Sequence, residues 1–377
     1  MQNPANPFLI SGYKGPPYFC DRQKEKAQLL SNVKNNINTT LFAIRRLGKT
    51  GLIQHVFEHF SKSKKTVCIY LDIFATRNLK DFTSQFATAV YSRFPEKKGI
   101  GQKLFEIIRL LRPVISYDNL TGQPEVSFQF SQARQQEQSL ESLLQFLDRL
   151  DATIIIAIDE FQQISQFPEK NTEALLRTLI QPLKNTRFIF SGSSRHVLTQ
   201  MFTGNKRPFF GSAQMLELKN INQQEYKAFI AQKFLDHRRK ADAEALQFIC
   251  EWTRLHTYYT QAVCNRLFTE GHSKITLPIA QAACAELLAA QEVNFFQYRN
   301  LLTSAQWQLL QAIAKEEKLY QPNARQFISR HHLGTPSNVK RSLDALLTKE
   351  MIYRERDETG DYYRVYDCFL ARWLERV

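Results

Sequence analysis

The sequence predicts an α/β domain built on a parallel sheet, followed by a helical region that ends in three helices and a hairpin. Three observations carry this expectation. Up to about residue 215, short apolar strands alternate with amphipathic helices, the pattern of parallel β-α units. One stretch, residues 154–158, is apolar throughout and is followed by two acids, as a central strand buried on both faces is. Beyond about residue 220 the apolar spacing is mostly helical. With 377 residues, the chain has room for two or three domains.

The elements follow in order. Residues 1–20 are rich in Pro, Gly and aromatics and read as an irregular arm. Residues 21–36 read as a helix, with Asp21 as its cap and Leu29, Leu30 and Val33 on one face. A strand at 39–44 precedes a helix at 51–60, where Leu52, Ile53, Val56, Phe57 and Phe60 keep helical spacing. A strand at 66–73 and a helix at 79–94 come next. Residues 114–130 read as an inserted hairpin turning at Asn119-Leu120-Thr121-Gly122. A helix at 139–150, the strand at 153–158, a helix at 172–182 and a strand at 187–191 complete the alternation. The basic runs at 62–65 and 95–98 read as solvated loops.

The most informative segment is Ala43-Ile44-Arg45-Arg46-Leu47-Gly48-Lys49-Thr50. It departs from G-x-x-x-x-G-K-[ST] only at its first position, and it lies between a strand and an amphipathic helix as that pattern requires. In such a loop the backbone N–H groups from Arg45 to Gly51 and the helix N-terminus cradle phosphate oxygens. Gly48 allows close backbone approach, Lys49 reaches the β- and γ-phosphates, and the Thr50 hydroxyl binds Mg²⁺. Ala43 implies that the first position needs no positive φ. The second half of the constellation is Ile154-Ile155-Ile156-Ala157-Ile158-Asp159-Glu160. Its acids sit at the carboxyl end of a strand, where α/β proteins bind ligands. Asp159 is expected to order Mg²⁺, and Glu160 to polarise the attacking water.

At the C-terminus, helices are expected near 304–314 and 323–331, and a third after the turn Gly334-Thr335-Pro336-Ser337. Strands at 351–353 and 362–366 flank Asp357-Glu358-Thr359-Gly360, a hairpin turn. Three helices and a hairpin make a winged helix. In a helix-turn-helix reader the N-terminal residues of the third helix face the major groove. Here these are Ser337, Asn338, Lys340 and Arg341, with Arg354, Arg356 and Arg364 on the wing. Winged helices also serve as protein-interaction or lid modules, so a DNA partner and a protein partner both stay open.

Taken together, A-I-R-R-L-G-K-T, I-I-I-A-I-D-E-F-Q-Q and the later F-I-F-S-G-S-S-R resemble the archaeal and bacterial AAA-type P-loop ATPases of the STAND and Orc/Cdc6-related branches. The resemblance covers nearly the whole chain. It implies a P-loop core at 1–215, a helical lid at 216–295 and a winged helix at 296–377. It also implies ATP rather than GTP, with ADP as product. Phe19-Cys20-Asp21-Arg22 resembles the box that opens these domains, which places Asp21 and Arg22 on the adenine side. Ser193 matches the polar sensor after the fourth strand. Arg207, in Lys206-Arg207-Pro208-Phe209-Phe210-Gly211, matches a family segment able to supply an arginine finger to its own nucleotide or, in a homo-oligomer, to a neighbour's. His256-Thr257-Tyr258-Tyr259 stands where relatives carry G-x-P-Y-Y near the nucleotide, so His256 joins the candidate contacts.

Charge points the same way less sharply. There are 50 Lys+Arg against 36 Asp+Glu, a net +14, which favours a polyanionic partner. Residues 1–150 carry +9 of this and residues 296–377 only +3, so the excess lies with the phosphate loop rather than the winged helix. No apolar run approaches membrane-spanning length. The start has no basic and apolar leader, and the six cysteines are scattered without metal-ligand spacing. These features read as a cytoplasmic protein with reduced thiols. The expected function is a Mg²⁺-dependent ATPase switch. The alternatives are a nucleotide-locked interaction module and a DNA-binding ATPase.

Overall fold

The computed structural model describes residues 6–63, 65–94, 113–117, 124–128 and 133–376. They form two compact units, one of Gly12–Asn220 and the other of Ile221 onward together with the N-terminal residues up to Ser11.

The first unit runs α1 (Gln23–Lys34), β1 (Thr39–Phe42), α2 (Lys49–Phe60), β2 (Thr66–Asp72), α3 (Leu79–Arg93), β3 (Pro113–Tyr117), β4 (Pro124–Phe128), α4 (Ala133–Asp148), β5 (Thr153–Asp159), α5 (Thr172–Ile180), β6 (Thr186–Gly192), α6 (Arg195–Thr203) and β7 (Gln214–Glu217). Five strands form one parallel sheet in the order β2-β5-β6-β1-β7. The interior strand β5, between β2 and β6, shows why an all-apolar sequence was needed. Ile154, Ile156 and Ile158 face one core with Phe82, Phe86, Leu143 and Leu147, while Ile155 and Ala157 face another with Leu29, Leu52 and Val56. Side chains alternate across a strand, so only a strand covered by helices on both sides stays apolar at every position.

The inserted hairpin is present as antiparallel β3 and β4. Its expected turn at 119–122 lies outside the described residues, as do Lys64 and the run at 95–98. Helix α1 corrects one expectation. Asp21 is not its cap: the N-cap is Arg22, and both residues take positive φ (55° and 67°). The backbone turns here to bring the Arg22 side chain inward, and that outweighs the capping preference of Asp. Helix α6 and strand β7 went unanticipated. β7 is only partly buried, so the apolar alternation that marks a strand is weak in it.

The second unit contains α7 (Gln223–Asp236), β8 (Lys240–Ala241), α8 (Ala243–Trp252), α9 (Thr257–Thr269), β9 (Lys274–Ile275), α10 (Leu277–Asn300), α11 (Ser304–Glu316), α12 (Arg325–Arg330), α13 (Pro336–Thr348), β10 (Ile352–Arg356), β11 (Asp361–Val365) and α14 (Cys368–Leu374). Residues from the N-terminal arm belong here: Phe8 is fully buried, with its ring 4.9 Å from that of Phe234. Asn265 Nδ2 donates to the Phe8 carbonyl at 2.7 Å. Thr303 and Gln306 form a reciprocal capping box at α11. Thr335 caps α13, with Pro336 in its first turn. β10 and β11 pair antiparallel around the Asp357–Gly360 turn, where Gly360 takes φ 140°. Helix α14 adds Phe369, Leu370, Trp373 and Leu374 to the core of this unit. Among the described residues, no cysteine is joined in a disulfide.

Candidate active site

The loop between β1 and α2 turns through two positive-φ residues, Arg46 (φ 61°) and Gly48 (φ 104°), before α2 begins at Lys49. Ala43 is buried and absent from the positive-φ residues, as its side chain requires. Leu47 points into the core and is 2% exposed, so only its backbone is available to a ligand. Arg45 and Arg46 stand exposed on the outer side of the loop. Gly51 lies under the Phe19 ring, which a Cβ there would meet at 3.6 Å.

Lys49 is 6% exposed, and its Nζ donates to the Ala43 carbonyl at 3.4 Å. Burial pushes its ammonium below the usual lysine range, while Asp159 and Glu160 pull it back up. A buried cation beside two carboxylates, at the head of a helix, is arranged to meet an anion.

Asp159 ends β5 in register with Asp72 of β2. Its carboxylate is 4% exposed and collects four donors. Thr50 Oγ1 and the Tyr70 hydroxyl donate to Oδ2 at 2.7 and 2.9 Å. Ser191 Oγ and the Glu160 N–H donate to Oδ1 at 2.5 and 3.1 Å. Thr50 and Asp159 are thus brought together across 109 residues. Tyr70 and Ser191 were missed in the sequence. Their signal is faint: each is a hydroxyl near the carboxyl end of a mostly apolar strand beside β5.

Glu160 takes φ 55° and starts a short 3-10 helix, Phe161–Gln166. Its Oε2 accepts from Ser193 Oγ at 2.9 Å, from the Ser193 N–H at 3.4 Å and from Gln162 Nε2. Gly192 makes room for this: a Cβ there would come within 2.0 Å of Gln162 Oε1. Ser193 therefore touches Glu160 directly. Burial raises the Asp72 carboxyl above the usual range, although the Phe74 N–H partly counters it.

The remaining candidates are placed as follows. Arg22 is 4% exposed, and its guanidinium donates to the carbonyls of Leu47 (3.4 Å) and Lys219 and to Glu25 Oε1 (3.3 Å). It braces the β1–α2 loop through the Leu47 carbonyl. Asp21 adjoins it at the surface end of the same turn. Arg207 pairs with Glu173 of α5, and burial raises the Glu173 carboxyl while Arg207 draws it down. His256 belongs to the second unit, where it is the N-cap of α9 and its ring lies 4.6 Å from that of Tyr259.

In that unit, Ser337, Asn338, Lys340 and Arg341 are all exposed on the first two turns of α13. The wing arginines are engaged within the fold. Arg354 and Arg356 pair with Asp361 at 2.5 and 3.0 Å, and Arg364 Nε donates to the Glu317 carbonyl at 3.1 Å.

The family model described as an ATPase domain predominantly from Archaea matches residues 19–254, well over half the chain. The chain belongs to this ATPase family. A second model, described as a probable winged helix domain, matches residues 293–376 of this archaeal-type ATPase. Among solved structures, the Walker-type ATPase of Pyrococcus abyssi is similar at TM-score 0.66 and 16% identity, over 98% of this chain and 100% of that one. The ORC2 protein of Aeropyrum pernix, solved as ADPNP–ADP complexes, is similar at 0.59 and 15%, over 97% and 95%. The ORC1 protein of the same organism, solved in complex with DNA, is similar at 0.50 and 13%, over 96% and 93%. At these identities the likeness establishes a shared fold. No curated protein matches the chain. Among the described residues, no helix is long and apolar enough to cross a membrane.

Proposed function

We propose that this ATPase binds Mg·ATP at the β1–α2 loop and hydrolyses it, using nucleotide state as a switch read out by the lid and winged helix. One observation carries the reading: Thr50 Oγ1 and Asp159 Oδ2 meet at 2.7 Å above a buried Lys49. The donor set is hard oxygen, which fits Mg²⁺. Among the described residues no group of three or more His, Cys, Asp or Glu forms a metal cage. That suits an ion held by one or two protein oxygens together with substrate phosphates. Thr50 and Asp159 would hold it, and when bound it would neutralise charge on the phosphates.

The chain's own groups do the rest. Lys49 turns from the Ala43 carbonyl to the β- and γ-phosphates, and the N–H groups from Arg45 to Gly51 cradle the same oxygens. Glu160 is held through Oε2 by Gln162 and Ser193. Its other oxygen is left to accept a proton from the attacking water. Ser193 can pass its hydroxyl from Glu160 to the γ-phosphate. Arg207 acts as a finger only after leaving Glu173, whether toward its own nucleotide or that of a second copy. Arg22 contributes by fixing the loop rather than by touching adenine. Equilibrium binding of ATP and ADP tests this reading. Wild type should bind both with Mg²⁺ enhancement, and Lys49→Ala should lose roughly 10–100-fold in affinity, as removal of a charged hydrogen-bond donor does. Equal affinity in the two proteins would refute the site.

DNA is the polyanion favoured for α13, because Ser337, Asn338, Lys340 and Arg341 stand exposed where a reader helix presents its first turns. A salt-sensitive gel shift that weakens in Lys340→Glu/Arg341→Glu is expected. An unchanged shift would remove α13 as the reader.

A further inference from the structure

The Asp159 carboxylate has more donors than its pairing with Thr50 explains. A carboxylate offers about four lone-pair sites, and here all four are filled, two donors to each oxygen. The donors come from α2, β2 and β6 and from the next residue's backbone. They are not equally anchored. Thr50 is exposed on the first turn of α2, whereas Ser191 is fully buried. The Tyr70 ring packs into the core beneath α1 and α2 with Ile155 and Ala157. In the β2–β5 register Tyr70 stands opposite Ala157, and Asp72 stands opposite Asp159. The Tyr70 hydroxyl therefore reaches forward along the sheet edge to Oδ2, the same oxygen that Thr50 uses.

We propose that Tyr70 is a positioning residue for Asp159. It keeps the carboxylate in the one rotamer that faces Thr50 and the divalent cation held there. The threonine–aspartate pair alone depends on an exposed hydroxyl whose lone pairs would also serve the cation, so Tyr70 is the donor to Oδ2 that is anchored in the core. Ser191 does the same for Oδ1. This inference rests on the Mg·ATP reading of the site. Groups that hydrogen-bond a metal-ordering carboxylate set its orientation, and removing one weakens metal binding by roughly 10–100-fold.

The test uses the full chain and a fluorescent ATP analogue, titrated with Mg²⁺ from an EDTA-treated start. Tyr70→Phe keeps the ring and removes only the hydroxyl. Its Mg²⁺ midpoint should rise roughly tenfold, with metal-free analogue affinity unchanged and the melting temperature lowered by no more than the loss of one hydrogen bond. Ser191→Ala should move the midpoint in the same direction. Wild-type midpoints in both variants would overturn the proposal and leave the site reading intact. An equal loss of metal-free affinity would also overturn it, by showing damage to the loop instead. Wild-type binding indifferent to Mg²⁺ would refute the site reading itself.

Discussion

At the carboxyl edge of the sheet the functional side chains hold one another, whereas on α13 the candidate contact residues stand exposed along a helix surface. Asp159 binds three hydroxyls and one backbone N–H, and Glu160 binds Ser193 and Gln162. Ser337, Asn338, Lys340 and Arg341 lie open to solvent. The first arrangement suits chemistry on a small ligand, where groups must be placed before the ligand arrives. The second suits a large anionic surface met through solvated cations. It follows that a substitution in the first region should damage fold and function together, while one in the second should change binding alone.

The largest effect should come from Asp159→Ala. The Ser191 and Tyr70 hydroxyls lose their acceptor in a buried setting, at a cost of roughly 2–4 kcal/mol. Denaturant melts should show that loss alongside abolished Mg²⁺ enhancement of nucleotide binding. Full stability in this variant would break the comparison. Next comes Lys340→Glu/Arg341→Glu. DNA affinity should fall, and the slope of log affinity against log salt should flatten by about 2, while stability stays within about 0.5 kcal/mol of wild type. A destabilised double variant would mean that α13 is held by these residues after all. Smaller still is Arg354→Ala on the wing. Asp361 already pairs with Arg354 and Arg356, so the DNA gel shift should change less than in the α13 variant.

The smallest effect concerns acid. His55, on α2, sits among Lys26, Tyr13, Glu58 and His59. Lys26 Nζ donates to Nε2 at 3.0 Å, so Nδ1 carries the proton and donates to the Tyr13 oxygen at 2.8 Å. Burial, then Lys26, holds the ring below the usual histidine range, against the pull of Glu58. A depressed folded value means that the unfolded chain takes up the proton first. The stabilisation is therefore complete above about pH 6.5 and is lost as pH falls through the folded value. Melting temperatures between neutral and mildly acid pH should show a shallower slope for His55→Gln than for wild type. An identical slope would exonerate His55.

How much of this was legible in the sequence depends on how local the signal is. The G-K-T loop and the D-E strand end are contiguous motifs, and the alternation Ile154/Ile156/Ile158 against Ile155/Ala157 explains why β5 reads as uninterrupted apolar sequence. The donors Tyr70 and Ser191 come from other strands, and only sheet order and register bring them to Asp159. The resemblance places Arg22 on the adenine side, yet its guanidinium reaches the carbonyl of Lys219, 197 residues away. β7 is short and half-buried, and α6 spans only nine residues, so neither announced itself. On the winged helix the three helices and the hairpin were readable from apolar spacing and turn residues. The pairing of Arg354 and Arg356 with Asp361 became visible only once the hairpin register set them side by side.

The central claim is that Glu160, held through one oxygen, activates water at a Mg·ATP site. Phosphate release at saturating Mg·ATP, measured for wild type and Glu160→Gln beside their ATP affinities, tests it most directly. The account expects equal ATP binding and a fall in turnover on the order of 10²–10⁴-fold, the usual loss when a general base is removed. Phosphate release by wild type no faster than by Glu160→Gln would contradict it.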